Sequence, residues 1–376
     1  MAEPSFTVGI EEEYLLVERE SRDLAVEPPA ELMQVLNRET EGRAVPEFLR
    51  AQVEIATKPC QTIAEAAEDL KLLRRQVSEV AERFDLHLIA AATHPFANWS
   101  QQHRTQGQRY DNISRDLQAV AHRLLTCGMH VHVGLDDEEL RIDLMGQVAY
   151  FLPHLLALST SSPFWKGRDS GLKSYRLAVF DEMPRTGLPE SFDSWGEYQR
   201  HLEVLERAGV IEDGSKIWWD VRPSARFPTL EMRIADIPTY WGDTVTLAAL
   251  YSSLLRMLYR LKRSNQRWRR YSRMLVEENR WRAQRYGVDE GMIDFGRGEI
   301  LPFADLLEEI FALVAEDAEA LGCTQEVMAA REILNRGTSS HRQCSVYAES
   351  LAQGHSEQEA LVAVVDWLVD ETKRGL

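Results

Sequence analysis

Four short segments of this chain alternate in period two, and each sets an apolar row against a row of ionisable groups. Phe6–Val17 places Phe6, Val8 and Ile10 on one face and Gly9, Glu11 and Glu13 on the other. Gln52–Thr57 sets Val53 and Ile55 against Glu54, and Met129–Leu135 sets Met129, Val131, Val133 and Leu135 against His130 and His132. Thr229–Ala235 sets Leu230, Met232 and Ile234 against Glu231 and Arg233. A fifth segment, Lys216–Arg222, alternates less regularly and brings Asp220 and Arg222 to one side. Residues two apart in a strand share a face, so each apolar row requires a core behind it and each polar row addresses one space. A solvated sheet face usually mixes Thr, Lys, Gln and Ser; these faces instead carry carboxylates, histidines and an arginine.

Helical spacing is clear elsewhere. Ile63–Phe84 repeats Ile63, Ala67, Leu70, Leu73, Val77, Val80 and Phe84, with Thr62 and Glu65 as a capping-box pattern ahead of it. Ile113–Thr126 repeats Ile113, Leu117, Val120 and Leu124, with Gly128 able to end it. Asp193–Ala208, Asp243–Leu261, Phe303–Leu321 and Glu357–Lys373 also read as helices. There is no fixed-period repeat, low-complexity run or long linker. The expectation is one α+β domain over residues 1–376, with a mixed sheet and helix core at 1–242 and an almost wholly helical part at 243–376. The Gly-, Pro- and charge-rich spacer Ser162–Pro189 is expected to be a functional loop.

Composition excludes several classes. The chain has 376 residues, with 43 Lys and Arg against 60 Asp and Glu and a net charge of −17. That balance disfavours a general nucleic-acid partner. The basic stretch Arg256–Arg285 holds eleven Lys and Arg against Glu277 and Glu278, and reads as a solvated helix face in an acidic protein. No membrane partner is expected: the most apolar stretch, Leu144–Leu158, is short and interrupted by Gln147, Pro153 and His154. The N-terminus lacks a basic region followed by an apolar one, and Cys60, Cys127, Cys323 and Cys344 are scattered without a C-x-x-C pair. Both point to a cytoplasmic protein with reduced thiols.

If the four strands share a sheet, Glu11, Glu13, Glu54 and Glu231 converge with a histidine pair, and the cluster repels itself unless cations neutralise it. Hard divalent ions, Mg²⁺ or Mn²⁺, suit the carboxylates, and Mg²⁺ commonly shares its shell with nucleotide phosphates. Other readings stay open: Glu11–Glu13 as a solvated edge, His130 and His132 as a zinc pair, Glu231-x-Arg233 as a cross-strand ion pair. Gly209–Lys216 resembles a P-loop but has Ser and Lys in the wrong order and leads into a strand; G-x-G-x-x-G, H-E-x-x-H and G-x-S-x-G are absent. Arg168, Arg176 and Arg185 in the long loop, and Arg222, Arg226 and Arg233 around the last strands, are available to grip phosphate or carboxylate.

The ordered motifs GIEEEYLLV, QVEIATKP, GMHVHVGLD, SPFWKGRDSGLKSYR, IWWDVRPS and TLEMRIADIPT, followed by ENRWRAQRYG and NRGTSSHRQ, resemble the glutamate–cysteine ligase type 2 family, and more closely its YbdK-type carboxylate–amine ligases. The resemblance implies a curved, mainly antiparallel sheet with outer helices, related to the catalytic domain of glutamine synthetase. It implies an ATP- and Mg²⁺-dependent enzyme that joins an amino-acid carboxylate to an amine through an acyl phosphate, with glutamate and cysteine as default substrates. By position it makes Glu11, Glu13, Glu54 and Glu231 metal ligands and places His130 near metals and phosphates. Arg233 binds phosphate, with Arg222 beside the ATP. His132, Lys166, Arg168, Arg176 and Arg282 are carried as substrate-pocket candidates. It also suggests a homodimer or larger assembly. The rival functions are a phosphotransferase that stops at phosphate transfer, a nucleotide- or metabolite-binding regulator, and a zinc hydrolase on His130 and His132.

Overall fold

The computed structural model describes residues 3–107, 110, 115, 118 and 125–376. Its centre is a seven-stranded sheet of β1 (Val8–Glu18), β2 (Ala44–Pro46), β3 (Gln52–Ala56), β4 (Leu86–Ile89), β5 (Met129–Gly134), β6 (Val221–Pro223) and β7 (Thr229–Met232). The order is β6-β7-β5-β1-β3-β2, with β4 paired to the C-terminal part of β1, and every pairing is antiparallel. The four alternating segments are therefore consecutive neighbours. Val8, Ile10, Val53, Ile55, Val131, Val133, Leu230 and Met232 from their apolar rows are all buried.

Helices cover that apolar side. Trp241–Arg263 packs on β1 and β5, and Ile63–Glu82 packs on β1, β4 and the Trp241 helix. Leu70, Leu73 and Val77 are buried at the expected spacing, and the Thr62 hydroxyl caps the helix by accepting from the Glu65 N–H at 3.1 Å. Helices also form at Trp195–Arg207, Phe303–Ala320 and Glu357–Lys373. The helix expected at Ile113–Thr126 falls largely outside the described residues.

Three expectations are corrected. The C-terminal part carries a hairpin, Met292–Asp294 with Glu299–Leu301. Gly291 (φ +67°) makes it possible, because a Cβ there would stand 2.0 Å from the Leu301 carbonyl oxygen. The long spacer is partly ordered into a hairpin (Phe164–Trp165 with Arg168–Asp169) and a short helix, Tyr175–Phe180. Lys216–Arg222 is not one strand: Trp218–Trp219 pairs with Thr186–Gly187, and only Val221–Pro223 joins the main sheet.

The basic stretch is not left as a bare charged face. Arg256 and Arg260 converge on fully buried Asp317 at 2.9 and 2.7 Å, and Lys262 and Arg267 on Asp143 at 2.7 and 2.6 Å. These four basic side chains are thus paired with carboxylates of the same chain. Residues 138–159 are long and apolar enough to cross a membrane by composition, yet 78% of that window lies inside the fold.

Candidate active site

The register of the sheet assembles the polar rows into one field. Glu13 lies opposite Glu54, Glu11 opposite His130, His132 opposite Glu231, and Glu231 opposite Arg222. Directly opposed side chains in an antiparallel pair are within contact range. The field forms the floor of a cavity of about 530 Å³, walled by Phe48, Phe180, Met183, Trp218 and Phe227. That size is ordinary for a small-molecule site.

The two ends of this floor differ in charge. At the β6–β7 end, Glu231 is gripped by two arginines. Arg222 Nε and Nη2 donate to its two oxygens at 2.8 and 3.2 Å, and Arg233 Nη1 donates to Oε1. Burial alone would raise the Glu231 carboxyl, but Arg233 and Arg222 outweigh it and hold it well below the usual range. Arg222 is tied down further by the carbonyls of Ser215 and Ile217 at 2.9 and 2.6 Å. Arg233 keeps its buried Nε without a partner among the described residues, so it retains capacity for an incoming anion.

At the β2–β3 end, Glu13, Glu47 and Glu54 bring carboxylate oxygens within 4.8 Å of one another. Glu13 is pushed up to about 7, first by burial and then by the charge of Glu47. Glu54 is raised as well, by burial and then by the Glu47 charge. Three crowded carboxylates set in a cavity fit a hard divalent cation. A second group, Glu11, His132 and Glu231, lies within the same distance limit and adds a nitrogen donor. His132 Nε2 and His130 Nε2 are buried without hydrogen-bond partners among the described residues, so both nitrogens are available as donors to a cation or a ligand. His130 Nδ1 stands 3.0 Å from Glu11 Oε2 and 3.4 Å from Arg233 Nη1, and His132 Nδ1 stands 2.9 Å from the Thr229 hydroxyl. Burial, and then Arg233, lower His130 to about 4, so its ring is neutral near pH 7.

Glu47 was not legible in the sequence: it follows Pro46 at the end of a three-residue strand, outside any alternating run. Gly128 takes part in the site. Its N–H donates to Glu13 Oε2 at 2.7 Å, and a Cβ there would stand 2.4 Å from Arg176 Nη2. Arg176 lines the cavity while donating to the carbonyls of Ile234 and Arg233, both at 3.2 Å. Three of the substrate-pocket candidates are not brought to the cavity. Lys166 and Arg168 are exposed on the Phe164–Asp169 hairpin, because the tight turn at Gly167 (φ +77°) faces them outward. Arg282 turns instead to the carbonyls of Gly291 and Glu290 at 3.1 and 2.8 Å. Asp220 and Arg222 also part company: Asp220 is buried against Arg280 at 2.7 Å while Arg222 reaches Glu231.

One face of the sheet gathers carboxylates at one end and arginines at the other, so a single cavity offers groups that attract cations and groups that attract anions. Residues 7–365 match the glutamate-cysteine ligase family 2. A Rhodospirillum rubrum protein provisionally named glutamate–cysteine ligase 2 is 62% identical over 376 residues, covering 99% of this chain and 97% of its own. Among solved structures, the glutamate–cysteine ligase of Francisella tularensis in complex with AMP shares the fold with a TM-score of 0.66 at 14% identity, covering 98% of this chain and 89% of its own. A bifunctional glutathione synthetase of Pasteurella multocida gives a TM-score of 0.68 at 14% identity, covering 97% of this chain; this chain spans about half of it, 52%. The chain belongs to the glutamate–cysteine ligase family 2, and with it to the ATP-dependent ligases.

Proposed function

We propose that this ligase joins the side-chain carboxylate of an amino acid, glutamate in the first instance, to the amine of a second substrate such as cysteine, through an acyl phosphate made from ATP and Mg²⁺. The observation that carries the reading is the graded floor of the cavity: Glu13, Glu47 and Glu54 at one end, Arg222 and Arg233 at the other. Glu11, Glu13, Glu54 and Glu231 are the proposed metal ligands, with Glu47 added from its place beside Glu13 and Glu54. When bound, Mg²⁺ supplies charge neutralisation at the phosphate oxygens.

The chain's own residues do the rest. Arg233, with its free Nε, holds the phosphoryl group as it moves from ATP to the substrate carboxylate. Arg222 fixes the Glu231 carboxylate so that Arg233 is presented rather than collapsed onto the floor. Neutral His130 contacts both Glu11 and Arg233 and orients the pair without adding charge. The amine then attacks the acyl carbon and phosphate leaves; no protein nucleophile takes part, and water is kept out by the Phe180–Met183 and Ser224–Phe227 walls. Residues 1–376 act as one ligase domain in this scheme.

The test is ADP release with Mg²⁺ and ATP, with glutamate as donor and a panel of amines including cysteine, and products read by mass. Amine-dependent ADP with a matching amide is expected. ADP without amide would make the protein a phosphotransferase, and turnover without ATP but with stoichiometric zinc would make it a hydrolase.

A further inference from the structure

A second cavity, of about 390 Å³, lies behind the tip of the β6–β7 hairpin, between it and the helix Trp195–Arg207. Its floor holds an arginine in an unusual condition. Arg141, on the helix Glu138–Val148, is only 5% exposed, yet its Nε has no partner among the described residues. Nη1 reaches the Phe227 carbonyl only at the 3.5 Å limit, and Nη2 lies 3.6 Å from Glu138. The Phe227 carbonyl already accepts a 2.7 Å bond from the Thr229 N–H, so it does not depend on Arg141. A buried guanidinium normally has its donors met. Arg74 in the same molecule is the contrast: it donates to Glu12, to the carbonyls of Pro238 and Thr239, and to Thr244.

The rest of the cavity narrows what could meet Arg141. The guanidinium lies 5.1 Å over the Trp195 ring, and a guanidinium stacked on a ring meets planar oxyanions through its edge. The lining also includes the carboxylates of Glu206 and Asp213. Asp213 is engaged by the Ser215 N–H at 2.7 Å, whereas Glu206 is exposed and holds no ion pair among the described residues. Exposed Arg226 lines the cavity as well, so it presents both signs of charge. A group with one negative and one positive end fits both.

We propose that this cavity is a binding site for a small α-amino acid, held by its carboxylate on Arg141 and by its ammonium group towards Glu206. The site is separate from the ligase cavity but shares the hairpin tip with it: the Phe227 ring, which walls both, stands edge-on to His132 at 6.2 Å.

Calorimetric titration of the full chain with L-alanine, propionate and ethylamine tests the proposal without ATP or turnover. Alanine is expected to bind about tenfold or more tightly than either propionate or ethylamine, because each lacks one of the two charge-assisted contacts. Arg141→Gln is expected to weaken alanine about tenfold or more, and Glu206→Gln, on the exposed rim, about three- to tenfold. Thermal melting of both variants reports folding, and Glu206→Gln carries the test should Arg141→Gln fail to fold. Alanine binding unchanged in the folded variants would assign it to another place and overturn the proposal. Propionate binding as tightly as alanine would reduce the site to a simple anion site, and no alanine binding would dismiss it. None of these outcomes depends on whether the ligase reading holds.

Discussion

Glu11, Glu12 and Glu13 are consecutive, yet they live in two opposite environments. Glu12 points to the apolar side of the sheet and is fully buried, where Arg74, equally buried, grips it at 2.6 and 2.5 Å and Tyr14 and Thr244 donate to it as well. Glu11 and Glu13 point into the cavity among other carboxylates and histidines. Around Glu12 the carboxylate and the Arg74, Tyr14 and Thr244 donors all meet one another; on the other face His130, His132 and Arg233 keep buried atoms without a partner among the described residues. The first arrangement locks the helices Ile63–Glu82 and Trp241–Arg263 to β1 through one ion pair. The second is incomplete by itself, and its incompleteness is what marks it as a place for ligands.

That contrast can be broken experimentally. The largest effect is expected on the cavity side: Glu231→Gln should lower ligase turnover by about a hundredfold or more, since Arg222 and Arg233 lose the carboxylate that positions them. Its melting temperature should fall as well, because Arg222 and Arg233 lose their shared counter-ion, so the turnover is compared at a temperature where the variant is folded. Glu12→Gln should act on stability alone, lowering it by about 3–5 kcal/mol in denaturant unfolding because Arg74 keeps its charge without a counter-ion, with turnover of the folded protein kept. Replacing both members, Glu12→Leu with Arg74→Met, should recover much of that loss.

A smaller effect separates the faces by pH. Glu13 is raised to about 7, and Glu54 is raised too. A carboxyl whose pKa is higher in the folded state binds more protons folded than unfolded between about 4.5 and about 7. The contribution of Glu13 and Glu54 to stability without metal falls as pH rises through that window, while buried His94, His130 and His154, each lowered to about 4, contribute in the opposite direction, so it is read as the difference between the chain and its Glu13→Gln variant. Mg²⁺ should stabilise the chain more at pH 8 than at pH 5, and Glu13→Gln should lessen that difference, which melting curves at the two pH values with and without the ion would read. A flat profile unaffected by Mg²⁺ would argue against a cation among Glu13, Glu47 and Glu54. The smallest effect is expected at Cys60, which is buried outside the cavity and donates to the Lys58 carbonyl at 3.2 Å. Cys60→Ser should retain activity; its loss in a folded protein would contradict a mechanism without a protein nucleophile.

Much of the site was legible before the fold. Period-two counting separated Glu11 and Glu13 from Ile10, and the structure turns each to the expected side. Glu12 was not singled out, and no spacing rule pointed to its partner Arg74, sixty-two residues away on a helix whose face looked merely amphipathic. Glu47 was invisible because a three-residue strand ending in proline has no periodicity to read. Lys166, Arg168 and Arg282 were chosen for their motifs; a hairpin turn and a pair of backbone carbonyls carry them elsewhere.

Alternation, helical spacing and caps act over a few residues, so the sequence alone established the strands, most of the helices and which face of each strand is polar. The ordered motifs established the family. Neighbourhood is another matter: Glu11 meets His130 across 119 positions, and Glu13, Glu47 and Glu54 become a cluster only once β3 pairs with β1 and β2. Register between distant strands is a property of the packed sheet, settled by burying all the apolar rows at once. The charge gradient of the cavity, the Glu12–Arg74 lock and the under-partnered Arg141 all follow from that packing.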